Sequence, residues 1–272
     1  MSLVTITRNI GCGGTTIARL VADGLKLELY DDRRLQEEAI KMGISPEVLK
    51  RLDEKAPGLF NRLLSHKPET YLDLMEAVVY EVAHRGEGVI LGHGSQMVLR
   101  DFGCALHVRI HGSESFRIQH LMDQQGVSRE AAEEMIHKSD SERRDFLQFA
   151  FHMDWNDHSL YDLVINRDKL SANSVARLIM EVAQSQEIKD CSLLAVEAME
   201  RLSLSKKVEA ALLENNLSPA QFHVEVPEKG IARITGWTSS HEYKNVLLEV
   251  VKGVPGVSDV RSEVVVVPSS GT

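Results

Sequence analysis

At 272 residues the chain is long for one domain and comfortable for two, and its 43% hydrophobic and 26% charged content is that of an ordinary globular protein. A net charge of −9, most of it before residue 189, argues against general nucleic-acid binding. Three scattered cysteines, Cys12, Cys104 and Cys191, predict no disulfide framework. No run of about 18 apolar residues is there to span a membrane, and the first residues lead into a strand without a secretory signal, so the expected location is cytoplasmic.

Residues 3–7 read as a short apolar strand, followed by a glycine-rich turn and a helix over 15–25. Gly11, Gly13 and Gly14 turn the chain sharply and leave backbone N–H groups uncovered. Thr15 and Thr16 open the helix, whose N-terminus carries roughly half a positive charge. This is a cradle for phosphate. In register with the pattern GxxxxGK[ST], Arg8 holds the first glycine position, Gly13 the second, Gly14 the lysine position and Thr15 the hydroxyl position. The loop therefore lacks its lysine.

A second short strand and helix are expected over 26–30 and 33–41. The stretch 43–68 is interrupted by Pro46, Pro57 and Pro68 and reads as an insertion. Beyond it, strands at 88–91, 106–110 and 163–165 alternate with helices at 71–84, 114–124, 129–138 and 173–183. That alternation predicts a mostly parallel sheet covered on both faces. After about residue 186 the order changes. A connecting helix over 188–202 precedes helix, strand, strand, helix and strand, with Glu228-Lys229-Gly230 as a hairpin turn. The expected division is 1–187, a connecting segment 188–203, and a compact α+β unit 204–268.

Several motifs stand in order along the first unit: TITRNIGCGGTTIARLVADGLKLELYD, VILGHGSQMVL, HVRI, FRIQHLM, SDSERRDF and DWNDHSLYDLVINRDKLS. Through them, residues 3–185 resemble the cytidylate kinase-like family of P-loop proteins. The C-terminal unit resembles a BON domain, chiefly through GIARITGWTSS and VKGVPGVSDVRSEVVV, with Gly236 and Gly256 at the family's glycine positions. The resemblance implies a three-layer P-loop NTPase fold with a small BON-like α+β domain attached. It also implies a nucleotide-binding protein that transfers the γ-phosphoryl of ATP, with Mg²⁺, to a small acceptor such as CMP or dCMP.

On that reading the backbone of Gly11, Cys12, Gly13, Gly14, Thr15 and Thr16 holds the donor phosphates, and a Thr15 or Thr16 hydroxyl reaches Mg²⁺. Arg8 supplies part of the missing lysine charge, and Cys12 is a small loop filler where relatives often carry serine. Asp31 stands where related kinases face the acceptor nucleotide, although capping of the helix at 33–41 competes for it. The related kinases close an arginine-bearing lid over the phosphates. Arg117, Arg143 and Arg144 are its counterparts here, because a guanidinium grips phosphate in a fork that lysine cannot copy.

Two further departures remove cations. Gly92-His93-Gly94 stands where many relatives read GRG, which places His93 at the acceptor, and His120 stands where a second arginine often follows the first. Removal of one preorganised donor costs about 10²–10³ in rate, so either the cations have moved or activity has faded. The alternative to an enzyme is a non-catalytic nucleotide or anion sensor that signals through its BON-like domain to an unidentified ligand or protein. The eleven histidines show no legible zinc cluster, and the aspartates of DWNDHSLYD read as turn-fixing groups with Trp155 and Tyr161 packed beneath.

Overall fold

A computed structural model describes residues 3–42, 68–100, 102–189, 193–217 and 221–267. Strand β1 (Leu3–Arg8) runs into the glycine turn and α1 (Gly14–Leu25), followed by β2 (Leu29–Tyr30), α2 (Asp32–Lys41) and α3 (Pro68–Ala83). Next come β3 (Gly88–Leu91), the short α4 (Ser95–Val98), β4 (Ala105–His111), α5 (Glu114–Gln125) and α6 (Arg129–Phe151). A single 3-10 turn at His158–Leu160 leads to β5 (Leu163–Asn166), α7 (Ala172–Ala183) and α8 (Gln186–Lys189). The expected insertion lies, for residues 43–67, outside the described residues.

Strands β1 to β5 form a parallel sheet in the order β2-β3-β1-β4-β5. Alternation along β1 divides the two cores. Val4 and Ile6 pack on one face with Ile17 and Val21 of α1 and Val175 and Ile179 of α7. Leu3 packs on the other face with Leu35 of α2 and Val78, Val79 and Val82 of α3. Both faces are thus buried, as a parallel sheet requires. Chain order reverses around β1, and the crevice at the carboxyl ends of the strands is where such sheets take their ligands.

The C-terminal unit is built on α9 (Leu193–Glu214), β6 (Phe222–Glu228), β7 (Ile231–Thr238), α10 (His241–Lys252) and β8 (Asp259–Val266). Strand β7 lies between β6, antiparallel, and β8, parallel. Gly230 closes the β6–β7 hairpin at φ 76°. Gly236 is bare of necessity, since a Cβ there would lie 2.1 Å from the Gln221 carbonyl oxygen.

The connecting helix and the first helix of this unit run together as α9, because Leu193–Glu214 contains neither glycine nor proline to break it. Helix α9 belongs to both units. Met199 enters the core beneath α3, whereas Leu204, Val208 and Leu212 enter the core of the C-terminal sheet. Its Ser203 hydroxyl donates to the Ala77 carbonyl at 3.1 Å. Lys206 lies 3.0 Å from Asp73 and 2.9 Å from both Glu76 and Glu209.

Cys104 is disulfide-bonded, whereas Cys12 is free and buried. An odd count excludes a full framework and leaves room for a single bridge. Among the described residues no helix is long and apolar enough to cross a membrane.

Candidate active site

The glycine loop occupies the carboxyl end of β1, the middle strand of the sheet. Gly11 and Gly13 take φ values of 82° and 65°, which side chains rarely adopt, and they swing the chain into α1. Asp31, Ser113, Ser128, Ser171 and Ser240 cap the helices that follow them. At α1 the N-cap is Gly13, and no side chain bonds there. The first amides of α1 are therefore left for an anion, in the field of the helix. Thr15 and Thr16 are exposed at the same end, as hydroxyl ligands to a phosphate-bound cation must be. These donors fit a polyphosphate with its metal. The Cys12 thiol is pushed up to about 11, by burial first, against the lowering fields of Arg117 and Arg167.

Beside the loop is a cavity of about 210 Å³, whose wall includes Arg8, Asp32, His93, Arg143, Phe146 and Trp155. Arg8 reaches it across Gly14. A Cβ on Gly14 would lie 2.6 Å from both Cβ and Cγ of Arg8. The guanidinium ends beside Gly92, where a Cβ would meet its Nη1 at 2.5 Å. Arg143 donates from Nη1 to the Arg8 carbonyl. Burial lowers the pKa of both guanidiniums; Arg143 falls to about 10, with the nearby Arg8 as the second cause. Among the described residues neither is in an ion pair.

Asp31 and Asp32 divide the two roles. Asp31 accepts from the Arg34 amide at 3.0 Å and caps α2. Asp32, one residue on, faces the cavity and bonds the His93 ring. That bond is the main cause that holds the Asp32 carboxyl below its usual range. His93 sits between Gly92 and Gly94 with all three residues at positive φ.

The remaining arginines separate by position. Arg117 lies beneath the loop, where its Nε donates to the Ile10 carbonyl at 2.7 Å and its two terminal nitrogens take both oxygens of Asp140 at 2.7 and 2.8 Å. Arg143 enters the cavity. Arg144, the next residue of α6, is exposed and outside it. The stretch expected to be a lid is helical, because α6 continues to Phe151 instead of ending near Lys138.

Sequence reasoning missed Arg167. It follows β5 and donates to the Cys12 carbonyl at 2.8 Å, with its guanidinium 5.5 Å over the Phe116 ring and Nη1 3.4 Å from the His120 ring. A Cβ on Gly13 would meet that Nη1 at 2.7 Å. One cation therefore stands on each side of the loop, Arg8 across Gly14 and Arg167 against Gly13. The signal was positional: residue 167 is the first after the carboxyl end of a parallel strand.

Behind the site, Arg109 donates to the Trp155 carbonyl at 2.8 Å and lies 4.7 Å over that indole. Asp157 caps the 3-10 turn, and Asp162 accepts from the His107 amide at 2.7 Å. The DWNDHSLYD aspartates fix backbone here, as their spacing implied.

A five-stranded parallel sheet with a glycine loop at the end of its middle strand defines an α/β protein of the P-loop NTPase fold. The chain belongs to the cytidylate kinase-like family, whose model matches residues 3–169, and a BON domain model matches residues 202–268. Two relatives named cytidylate kinase illustrate the match. That of Pyrobaculum islandicum is 27% identical over 66% of this chain and 92% of its own. That of Pyrobaculum arsenaticum is 30% identical over the same shares. An uncharacterized protein from Eubacterium ventriosum of solved structure shares the fold, with a TM-score of 0.55 and 24% identity over 68% of this chain and 99% of that one.

Proposed function

We propose that this chain is an ATP-dependent nucleoside monophosphate kinase that acts with Mg²⁺ on CMP or dCMP. The observation that carries the reading is the uncapped glycine loop beside a cavity holding two guanidiniums that, among the described residues, form no ion pair. The name of the archaeal relatives supports the acceptor. In this reading residues 1–187 form the catalytic unit, 188–203 the connection, and 204–268 a unit for a second, unidentified ligand or protein.

Phosphoryl transfer asks little covalent chemistry of the protein; it needs two phosphates in line and positive charge where charge develops. The amides of residues 13–16 would bind the donor tail, that of Cys12 being turned to the Asn9 carbonyl at 3.4 Å, and Thr15 or Thr16 would hold Mg²⁺, which when bound would draw charge from the donor phosphates. Arg143 orients the acceptor phosphate. His93, held by Asp32, stands at the same wall. Arg117 holds the loop in shape from below, and Arg167 braces it at Cys12.

The test is incubation of the full chain with Mg²⁺–ATP and a panel of nucleoside monophosphates, following ADP and the new diphosphate. Acceptor-dependent ADP, greatest with CMP or dCMP, is the expected result. ATP binding without turnover across the panel would refute the kinase and leave a nucleotide sensor.

A further inference from the structure

Gly14 has an ordinary helical backbone, so no turn demands a glycine at that position. The space does. Any side chain at residue 14 collides with the stem of Arg8, whose packing over Gly14 is what brings its guanidinium to the cavity wall. The loop's lysine and Arg8 are therefore mutually exclusive. Asp32 and Glu142 line the same wall, but among the described residues neither is within ion-pair distance of Arg8 or Arg143. Asp32 is engaged by His93, and both oxygens of Asp140 are taken by Arg117. Two like charges on one half-buried wall, offset only through the fields of Asp32 and Asp140 and not by direct pairing, favour an anion that bridges them, and a phosphate monoester offers oxygens to both forks.

Resting on the kinase reading, we propose that Arg8 takes over the lysine's charge from the opposite end of the loop. It binds the acceptor's phosphate monoester jointly with Arg143, and Gly14 stays bare to let it pass. The position thus serves the acceptor more than the donor. Restoring a side chain at residue 14 disables the site instead of repairing it.

A double-mutant cycle tests this. Affinities for CMP, inorganic phosphate and Mg²⁺–ATP are measured by calorimetry on the wild type, Arg8→Ala, Gly14→Ala and the double variant, with thermal midpoints alongside. Arg8→Ala is expected to weaken CMP and phosphate about 10–100-fold, the size of a lost charge-assisted fork, and Mg²⁺–ATP less. Gly14→Ala is expected to reproduce that loss alone and to add nothing once Arg8 is gone. Arg8→Lys, which keeps stem and charge but loses the fork, falls between. Wild-type CMP affinity in Gly14→Ala, or equal losses in both backgrounds, overturns the proposal. A wild type that binds Mg²⁺–ATP but neither CMP nor phosphate overturns it alone, whereas one that binds none of the three overturns the kinase reading with it.

Discussion

Arg117 and Asp140 form a two-point fork beneath the glycine loop, with nitrogen–oxygen distances of 2.7 and 2.8 Å, and the same arginine holds the Ile10 carbonyl. The pair joins α5 to α6 through the loop. Asn9 adds a bond to Asp140 at 3.2 Å. Gly11 lies so close that a Cβ would sit 2.8 Å from the Arg117 carbonyl oxygen. The shape of the phosphate cradle is thus set from below by a buried guanidinium. Arg117→Lys keeps the charge but loses the fork, and is expected to cost about 1–2 kcal/mol of stability in urea unfolding and to weaken Mg²⁺–ATP. A cycle with Asp140→Ala should give a coupling of about 1–3 kcal/mol. A coupling near zero would mean that the two side chains act separately.

Neighbouring arginines on α6 are expected to behave oppositely. Arg143 enters the cavity and bonds the Arg8 carbonyl, whereas Arg144 is exposed. Arg143→Ala should lower kcat/KM by about 10²–10³-fold with the thermal midpoint little changed, the size of one lost transition-state donor. Arg144→Ala should stay within about twofold of wild type, as surface substitutions do. Steady-state kinetics on both variants decides, and equal losses would place the lid's chemistry on the exposed face.

Much of this site was legible in the sequence, and the misses have physical causes. Apolar spacing located the strands and helices of the sheet because each buries one regular stripe. The helix expected over 129–138 runs on through Ser139–Arg144, which holds no helix breaker, until His152 turns at φ 54°. Asp31 and Asp32 are chemically alike, and only backbone geometry decides which of them caps and which faces the cavity. Loss of the lysine was visible at Gly14; that the side chain of Arg8 fills its space was not, because residues six apart meet only once the loop has turned. Arg167 stood inside the DWNDHSLYDLVINRDKLS motif, but nothing in its spacing there assigned it to the glycine loop.

Cys12 tests whether the loop is a redox site. A helix N-terminus ordinarily lowers a thiol pKa. Here burial outweighs it, and the thiol rises to about 11. Near pH 8 the thiolate fraction is therefore small and access is closed. Peptide-mapped iodoacetamide labelling should leave Cys12 unmodified in the native protein and modify it in strong guanidinium. Rapid native labelling at Cys12 would count against a filler role.

Lys206 gives a prediction with a definite pH sign, because it holds the two units together through α9 and α3. It faces Asp73, Glu76 and Glu209 at 3.0, 2.9 and 2.9 Å. Burial works against the charge on Lys206, but those carboxylates together outweigh it and raise its pKa, while burial is the leading influence on Asp73 and lifts that carboxyl to about 6. An unfolded aspartate titrates near 3.9, so between about 4 and 6 the folded chain binds the proton that the unfolded chain has lost. The Asp73 contribution to stability is therefore complete below about pH 4 and is lost as pH rises through about 6. Lys206→Met removes the cation and leaves three crowded carboxylates, with an expected cost of about 2–3 kcal/mol at neutral pH for a partly buried cluster. Proton uptake relieves that crowding. The deficit against wild type, read from urea unfolding, should shrink from about pH 8 to about pH 5. A deficit that grows on acidification would show that the carboxylates are not what Lys206 restrains.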